Sequence, residues 1–327
     1  MDAIRVKGLS VYYRTPLGQV KVLDSVDASF EEGKTVGVVG ESGSGKSTLG
    51  FAITRLLPPT GITRGSIQYY DTELLSLPAK KMREVRGTGI FMIMQDPFSS
   101  LNPVKRIKDQ LMEALLVKYE RRKEALDPKI GEKEILKRLS DVKLPDPDLV
   151  MLKYPHQLSG GQIQRIVIAM GLVLEPKVMI ADEPTSALDV SIQAQVIALM
   201  KELQQNYGMT LIFVTHDLAV ASAVSDKVLI LYAGRTMEFG DVGETIKQPL
   251  HPYTQGLLKS FPSGNYKEGR LFSLKGMPPS FFDMPAGCRF SPRCPYAFDR
   301  CFKEEPGVYG VGDRLVRCFL YDKSNKS

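Results

Sequence analysis

The chain has 327 residues, of which 43% are hydrophobic and 24% are charged, as is ordinary for a globular protein with a large core. Its longest apolar run, residues 166–174, is about half as long as the roughly 20 residues that cross a bilayer, which excludes a membrane-embedded chain. The net charge of +6 would suit nucleic acid or an anionic membrane face. Basic residues are interleaved with acidic ones, however, which favours an ordinary solvated surface.

Strands and a helix are predicted at the start of the chain. Residues 3–13 and 20–30 alternate between apolar and polar side chains, which is typical of two strands, and a turn at 15–18 joins them. Residues 36–39 predict a short buried strand that leads directly into a glycine-rich loop. From Thr48 onward, apolar residues at helical spacing predict a helix.

The middle of the chain, from about 101 to 174, has apolar positions at helical spacing, which predicts a helical subdomain inserted in an α/β core. Further strands are predicted at 178–181, 211–215 and 228–232, with a helix near 192–207. Alternation of strands and helices predicts a parallel sheet.

The composition changes near residue 240, where we place a domain boundary. Residues 1–240 would form the α/β domain, and residues 241–327 would form a C-terminal appendix rich in prolines and aromatic residues. All four cysteines of the chain lie in this appendix, beyond Ala286.

The glycine-rich loop at residues 40–47 reads GESGSGKS and is typical of a phosphate-binding loop. Gly43 and Gly45 let the backbone turn so that its amides converge on phosphate oxygens, and the helix that follows adds its positive end. Lys46 would reach the β- and γ-phosphates, and Ser47 would bind Mg²⁺. The residues predicted to hold the nucleotide here are Gly40, Ser42, Gly43, Ser44, Gly45, Lys46, Ser47 and Thr48.

Two adjacent carboxylates follow the apolar run 178–181. They stand at the carboxyl end of a predicted strand, where open α/β sheets bind ligands. Asp182 would hold Mg²⁺, through water, and Glu183 would polarise the attacking water. An acidic strand end is by itself more often a helix cap, but the continuation PTSALD at 184–189 favours a nucleotide site.

Residues 158–162 read LSGGQ, in which Ser159 supplies a hydroxyl, Gly160 and Gly161 allow close backbone approach, and a helix follows. This is a second anion-binding pattern in a chain that already has a phosphate loop. Together the two motifs resemble those of the ATP-binding-cassette (ABC) family. The resemblance implies a P-loop NTPase fold with a RecA-like parallel-sheet core, an antiparallel β subdomain and an inserted helical subdomain.

In this family the signature completes the ATP site of a facing cassette, so the resemblance places Ser159, Gly160, Gly161 and Gln162 in a nucleotide site. Asp189 ends the continuation of the acidic strand and is assigned to the nucleotide site as well. The alternative for the signature is a simple capped helix start.

The resemblance also assigns three residues whose surroundings alone would not identify them. Gln95 matches the family glutamine that senses Mg²⁺ and the attacking water, and His216 matches the histidine that contacts the γ-phosphate. Tyr13 resembles the aromatic residue that stacks on adenine, although Tyr12 adjoins it. In isolation these would be a loop amide, a structural histidine and a core aromatic residue.

Three further segments resemble the dipeptide/oligopeptide permease ATPases. They are QDPFSSLNP at 95–103, YPHQ at 154–157 and HPYT at 251–254. One departure from the commoner pattern is Ile163, which follows the signature.

This narrower resemblance implies an ATPase on the cytoplasmic face of the cell membrane that drives an importer of peptides. Oligosaccharide or nickel import is the alternative. The implied partners are a second cassette, expected to be a paralogue, two membrane permease subunits and an external solute-binding protein.

The cysteines Cys288, Cys294, Cys301 and Cys318 are spaced C-x5-C-x6-C-x16-C. Two disulfides are typical of small secreted domains rather than of a cytosolic ATPase, and zinc usually takes shorter C-x2–4-C spacings. Longer spacings can surround a [4Fe–4S] cluster, and the pattern resembles the cluster-binding tail of some permease ATPases. Zinc, disulfides and unliganded cysteines remain alternatives.

Two other classes of protein compete with the transport hypothesis. A soluble ABC ATPase acting on nucleic acid would suit the basic charge, but such proteins carry tandem cassettes, coiled coils or inserted fingers. An iron–sulfur regulatory protein with a vestigial ATP site is disfavoured because every catalytic position is occupied.

Overall fold

The computed structural model describes residues 1–260 and 274–323. The chain forms two compact units that alternate along the sequence. The helix-rich unit consists of Met1, Glu31–Lys34 and Ser76–Val214, and the sheet-rich unit consists of Asp2–Phe30, Thr35–Leu75 and the residues from Thr215 onward.

The secondary structure alternates between strands and helices through much of the described chain. The strands are β1 (Asp2–Thr15), β2 (Gly18–Glu31), β3 (Thr35–Val39), β4 (Gly61–Tyr69), β5 (Thr72–Glu73), β6 (Ile90–Ile93), β7 (Val178–Asp182), β8 (Thr210–Thr215), β9 (Lys227–Tyr232), β10 (Arg235–Asp241), β11 (Tyr309–Val311) and β12 (Arg314–Val316). The helices are α1 (Lys46–Thr54), α2 (Ala79–Val85), α3 (Ile107–Arg122), α4 (Pro128–Asp141), α5 (Pro147–Val150), α6 (Gly160–Leu174), α7 (Val190–Tyr207), α8 (Leu218–Val224), α9 (Val242–Lys247), α10 (Pro252–Lys259) and α11 (Asp299–Lys303).

The helix-rich unit is built on three parallel strands in the order β8–β7–β6. All five residues of β7 are buried, as its continuous apolar run predicts. Helix α6 packs against α3, α4 and β6. Its many buried residues, from Ile163 to Leu174, explain why its sequence is apolar on most sides. The helices predicted between residues 101 and 174 are therefore confirmed.

The sheet-rich unit contains a four-stranded sheet in the order β2–β1–β4–β5, in which β1 and β4 are antiparallel. This is the antiparallel β subdomain that was expected. The unit also contains β3, which runs parallel to β9, and strands β10, β12 and β11, which follow β9 in antiparallel pairs.

The antiparallel pairing of β10 with β9 was not predicted, and a tight turn between the two strands explains it. Tyr232 pairs with Arg235 across a turn made of Ala233 and Gly234. Both turn residues have positive φ, 46° and 81°. This combination is typical of the type I′ turns that close hairpins, so the chain reverses here instead of crossing over.

The appendix shares a core with strands of the same unit. Tyr253, Leu257 and Phe290 are buried together with Val39 and Tyr232. Strand β12 of the appendix also pairs with β10. The boundary near residue 240 falls close to the end of β10 and stays a prediction. Among the described helices, none is both long and apolar enough to span a membrane.

Candidate functional site

The phosphate loop connects β3 to α1 in the sheet-rich unit. Gly45 precedes the first residue of α1 and has a φ of 101°, a left-handed conformation that favours glycine. A Cβ at Gly40 would lie 2.1 Å from the carbonyl oxygen of Leu231, which leaves no room for a side chain. Helix α1 begins at Lys46, where the phosphate-loop motif places the start of a helix, whereas the apolar spacing alone begins at Thr48.

The side chain of Lys46 is buried and folds back over the loop. Its ammonium group donates hydrogen bonds to the carbonyl oxygens of Gly40, at 2.8 Å, and Glu41, at 3.0 Å. Nearby, the hydroxyl of Ser44 is buried and has no hydrogen-bond partner among the described residues. A buried cation and an unsatisfied hydroxyl in one loop suit the binding of phosphate oxygens.

The carboxylates predicted for catalysis lie at the end of β7 in the helix-rich unit. Asp182 is buried, and Glu183 is partly buried with a φ of 44°, an unusual conformation for a residue with a side chain. The backbone around Glu183 is held by hydrogen bonds, since its amide donates to Val214 and the amide of Ser186 donates to its carbonyl. Strain of this kind persists where surrounding contacts enforce it, and it is common at active sites.

The structure brings Gln95 and Glu183 together. The side-chain amide of Gln95 donates to a carboxylate oxygen of Glu183 at 3.4 Å, although the two residues are 88 positions apart. Gln95 is exposed just beyond β6, whose neighbour in the sheet is β7. The loop glutamine is thus within reach of the carboxylate that is predicted to act as the base.

The signature forms the amino-terminal end of α6 with a reciprocal cap. The hydroxyl of Ser159 accepts from the amide of Gln162 at 3.4 Å, and the side chain of Gln162 accepts from the amide of Ser159 at 3.0 Å. A Cβ on Gly161 would lie 2.9 Å from a side-chain methyl of Ile192 in α7, so glycine is needed for packing there. The structure thus shows a capped helix start in this segment.

The remaining residues predicted for the nucleotide site belong to both units, Asp189 to the helix-rich one and His216 and Tyr13 to the sheet-rich one. Asp189 is exposed and precedes α7, where its carbonyl accepts from the amides of Ile192 and Gln193. His216 is exposed directly after β8. Tyr13 lies in β1 and is partly buried, opposite Gly61 of β4.

Tyr12, the neighbour of Tyr13, has its ring covered by two cations. Lys21 and Arg64 each lie 5.4 Å from the ring centre. Successive residues of a strand point to opposite faces, so Tyr13 faces away from these cations. This arrangement favours Tyr13 over Tyr12 as the aromatic residue available to a ligand.

The four cysteines line one small cavity in the appendix, which is also lined by His251, Phe290, Phe298 and Phe319. Burial raises the pKa of Cys288 to about 11 and that of Cys318 to about 12, and burial also raises the pKa of Cys294. All four are free cysteines, so the described residues contain no disulfide between them. Within residues 1–260 and 274–323, no three or more histidine, cysteine or acidic side chains are arranged to hold a metal ion.

The comparisons with known proteins agree with the nucleotide motifs. Residues 23–186 match the family described as ABC transporter, and residues 237–301 match the oligopeptide/dipeptide transporter C-terminal region. The oligopeptide transport ATP-binding protein OppD of Escherichia coli (strain K12) is 42% identical over 97% of this chain and 92% of its own length. The chain belongs to the ABC transporter family.

Two dipeptide transport ATP-binding proteins named DppD show similar likeness to this ABC protein. That of Haemophilus influenzae is 42% identical over 97% of this chain and 95% of its own length. That of Bacillus subtilis (strain 168) is 43% identical over 98% of this chain and 95% of its own length. Among solved structures, the ATP-binding cassette MJ0796, in a dimeric post-hydrolysis state bound to ADP and Pi, has a TM-score of 0.64 at 28% identity and covers 73% of this chain and 98% of its own.

These findings confirm the ABC cassette fold and ATPase activity of the chain, together with its place in the oligopeptide/dipeptide branch. The match to the C-terminal region includes Cys288, Cys294 and Cys301 and ends before Cys318. Sequence reasoning missed two residues that contact the phosphate loop, Tyr253 and Arg293. Tyr253 lies in the HPYT segment, which resembles the permease ATPases, but no sequence signal indicated that Tyr253 or Arg293 reaches the loop.

Proposed function

We propose that this ABC ATPase drives the uptake of peptides through two separate membrane permease subunits, supplied by an external solute-binding protein. The observation that carries the proposal is the likeness to OppD and DppD proteins over nearly the whole chain, the appendix included. These relatives are named for oligopeptide or dipeptide transport, which favours peptides over oligosaccharides or nickel and favours transport over action on nucleic acid. Attachment to permease subunits would place the chain at the cytoplasmic face of the cell membrane.

The nucleotide would be held by the phosphate loop, with Lys46 turning from the loop carbonyls to the β- and γ-phosphates. Ser47, Asp182 and Gln95 would hold Mg²⁺, since hydroxyl, carboxylate and amide oxygens are the hard donors that this ion prefers. Bound Mg²⁺ offsets charge on the phosphate oxygens. Tyr13 would stack on adenine, and His216 would contact the γ-phosphate.

Glu183 would act as the general base that polarises the attacking water. Its left-handed backbone, held by hydrogen bonds, fixes where the side chain begins, and the side-chain amide of Gln95 contacts the carboxylate. A base held in one orientation loses little freedom when the water binds. This geometry supports the role that the resemblance assigned.

The signature would complete the ATP site of a second cassette. Its residues Ser159–Gln162 lie at the positive end of α6, a helix long enough to present a dipole to phosphate. Asp189 would belong to the same surface. The dimeric state of MJ0796 supports pairing, and we propose a paralogous partner instead of a second identical chain.

Hydrolysis would remove the phosphate that bridges the two cassettes, so that the pair opens and moves the membrane subunits. A hydrolysis-blocked Glu183→Gln variant should therefore pair in saturating Mg-ATP when its natural partners are supplied. If that variant stays monomeric under these conditions, the pairing mechanism is wrong.

The cargo is tested by reconstituting the chain with its permease subunits and second cassette in liposomes. Solute-binding protein loaded with a peptide should stimulate ATP hydrolysis and peptide uptake, and the Glu183→Gln assembly should show neither. Stimulation by a sugar-loaded or nickel-loaded binding protein, without any by peptides, would contradict peptide import.

We further propose that the four cysteines bind a [4Fe–4S] cluster, with zinc as the alternative. The donors suit a metal centre in kind, because four sulfurs, the ligands that iron–sulfur clusters take, line one cavity. In the described residues the four cysteines are not arranged as ligands of a metal ion. No step of the ATPase reaction is therefore assigned to the cluster.

Protein purified without oxygen should contain iron and inorganic sulfide in similar amounts and absorb visible light. A Cys288→Ser variant should lose both components. Zinc without iron would favour the alternative, whereas a colourless protein that lacks iron, sulfide and zinc would contradict any metal centre here.

A further inference from the structure

In the described residues, the C-terminal appendix forms hydrogen bonds to Glu41 of the phosphate loop. The guanidinium group of Arg293 donates to both carboxylate oxygens of Glu41, at 2.8 Å and 3.0 Å. The hydroxyl of Tyr253 accepts a hydrogen bond from the backbone amide of Glu41 at 2.9 Å. All three residues belong to the sheet-rich unit.

Residue 41 is also bonded to the rest of the loop. Its carbonyl accepts from the ammonium group of Lys46 at 3.0 Å and from the amide of Ser44 at 3.1 Å. The amide, the carbonyl and the carboxylate of Glu41 are therefore all engaged. The appendix holds two of these groups, and the nucleotide-binding part of the loop holds the third.

Arg293 is also held by contacts other than its ion pair with Glu41. Its Nε donates to the carbonyl of Lys275 at 3.0 Å, and its guanidinium group also donates to the hydroxyl of Tyr232 at 3.2 Å. The Arg293 side chain is 5% exposed and that of Glu41 is 25% exposed, so solvent screens this ion pair only partly. A bidentate pair of this kind fixes both charge and orientation.

Tyr253 is equally constrained. It is fully buried, and its ring packs 4.6 Å from that of Tyr232 and 5.4 Å from that of Phe290, measured between ring centres. Its hydroxyl therefore cannot follow the loop if the loop moves. The amide of Glu41 is directed toward a fixed acceptor.

A carboxylate beside a phosphate site opposes the binding of a polyanion unless a cation offsets it. We propose that Arg293 and Tyr253 are positioning residues of the ATP site: Arg293 neutralises and orients Glu41, Tyr253 fixes its amide, and together they set the affinity of the phosphate loop for ATP. The inference rests on the nucleotide assignment made above. It assigns a role in ATP binding to two residues of the appendix, which lie outside the nucleotide motifs.

The experiment measures Mg-ATP and Mg-ADP dissociation constants of the full-length protein by calorimetry. Arg293→Ala should weaken Mg-ATP binding about ten-fold, equivalent to ~1.4 kcal/mol. The loss should be smaller for Mg-ADP, because the repulsion by an uncompensated Glu41 falls with ligand charge. Arg293→Lys should lie between the wild type and Arg293→Ala because it keeps the charge without the bidentate geometry.

A double variant separates charge from general damage. Glu41→Gln removes the carboxylate, so Arg293→Ala combined with Glu41→Gln should bind Mg-ATP more tightly than Arg293→Ala alone. Tyr253→Phe should weaken both nucleotides by a similar, smaller factor, since it removes a neutral hydrogen bond. Arg300→Ala serves as the control, because Arg300 pairs with Glu304 and Asp322 within the appendix.

The outcomes are distinguishable. A wild type that fails to bind Mg-ATP would contradict the nucleotide assignment as well as this inference. If the wild type binds but Arg293→Ala stays within two-fold of it, only the inference is overturned. It is also overturned if Arg293→Ala weakens ATP and ADP equally and Glu41→Gln restores nothing, because the damage would then be structural.

Discussion

The signature helix α6 ends in a network of charges centred on Lys118, and replacing that lysine by methionine tests what the network contributes. The ammonium group of Lys118, on α3, lies 2.5 Å from Glu134 on α4 and 3.0 Å from Glu175. Glu175 caps the carboxyl end of α6 in a left-handed conformation. Methionine keeps an unbranched chain but removes the charge. After Lys118→Met the two carboxylates still share Arg138, which lies 2.7 Å from Glu175 but 3.9 Å from Glu134, so Glu134 loses most.

The exposure of these groups sets the size of the effect. Lys118 is 3% exposed and Glu134 is 16% exposed, close to the buried limit at which losing one partner costs about 3–5 kcal/mol. Glu175 is 36% exposed and keeps Arg122 at 2.6 Å and Arg138 at 2.7 Å, so it loses little. We therefore expect Lys118→Met to lower the free energy of unfolding by about 2 kcal/mol.

Urea unfolding of both proteins at neutral pH measures this difference. Lys105→Met is the matched control, because Lys105 pairs with Glu113 where both side chains are exposed, 44% and 57%. We expect it to change stability by less than about 0.5 kcal/mol. If Lys118→Met costs no more than Lys105→Met, burial does not strengthen this network and the reasoning is wrong.

Three further predictions concern the nucleotide site and its support. Glu183→Gln should reduce ATP turnover by about 10²- to 10⁴-fold while Mg-ATP still binds, and normal phosphate release would refute its role as base. Gly45→Ala should weaken Mg-ATP binding and cost about 1–3 kcal/mol of stability because it combines positive φ with a steric clash, whereas Gly310→Ala, which meets nothing within 4 Å, should change neither. Burial raises the pKa of Asp24, but Arg235 and neighbouring cations bring it below the usual 3.8. Its contribution to stability is therefore present above that pH and lost below it, so urea midpoints of wild type and Asp24→Asn should converge on acidification.

Local patterns predicted the strands and the helical segment because burial follows them directly. The apolar run that became β7 is buried at every position, and the run that became β8 is too. The short apolar run at residues 36–39, between a turn and the glycine-rich loop, likewise indicated a buried central strand, and it lies in β3. The contact of Gln95 with Glu183 was not predicted, and it follows from the sheet order, because the two residues come just after strands that are neighbours.

Features set by exceptional backbone conformations escaped prediction. The hairpin of β9 and β10 depends on positive φ at Ala233, a residue that seldom adopts it. Strand β12 joins this sheet from the far end of the chain, and no local pattern indicates its partner.

The contact between Arg293 and Glu41 spans 252 positions, which is why reasoning from motifs could not find it. Its location nevertheless connects two parts of the protein that were interpreted separately. Arg293 ends a short turn that leads into Cys294, and His251, which accepts from the amide of Tyr253 at 2.9 Å, lines the cysteine cavity. Arg293 and Tyr253, the two residues that bond to Glu41, thus both adjoin residues that line that cavity. Disorder in the cavity should therefore change the affinity for ATP, because both contacts end at Glu41 in the phosphate loop.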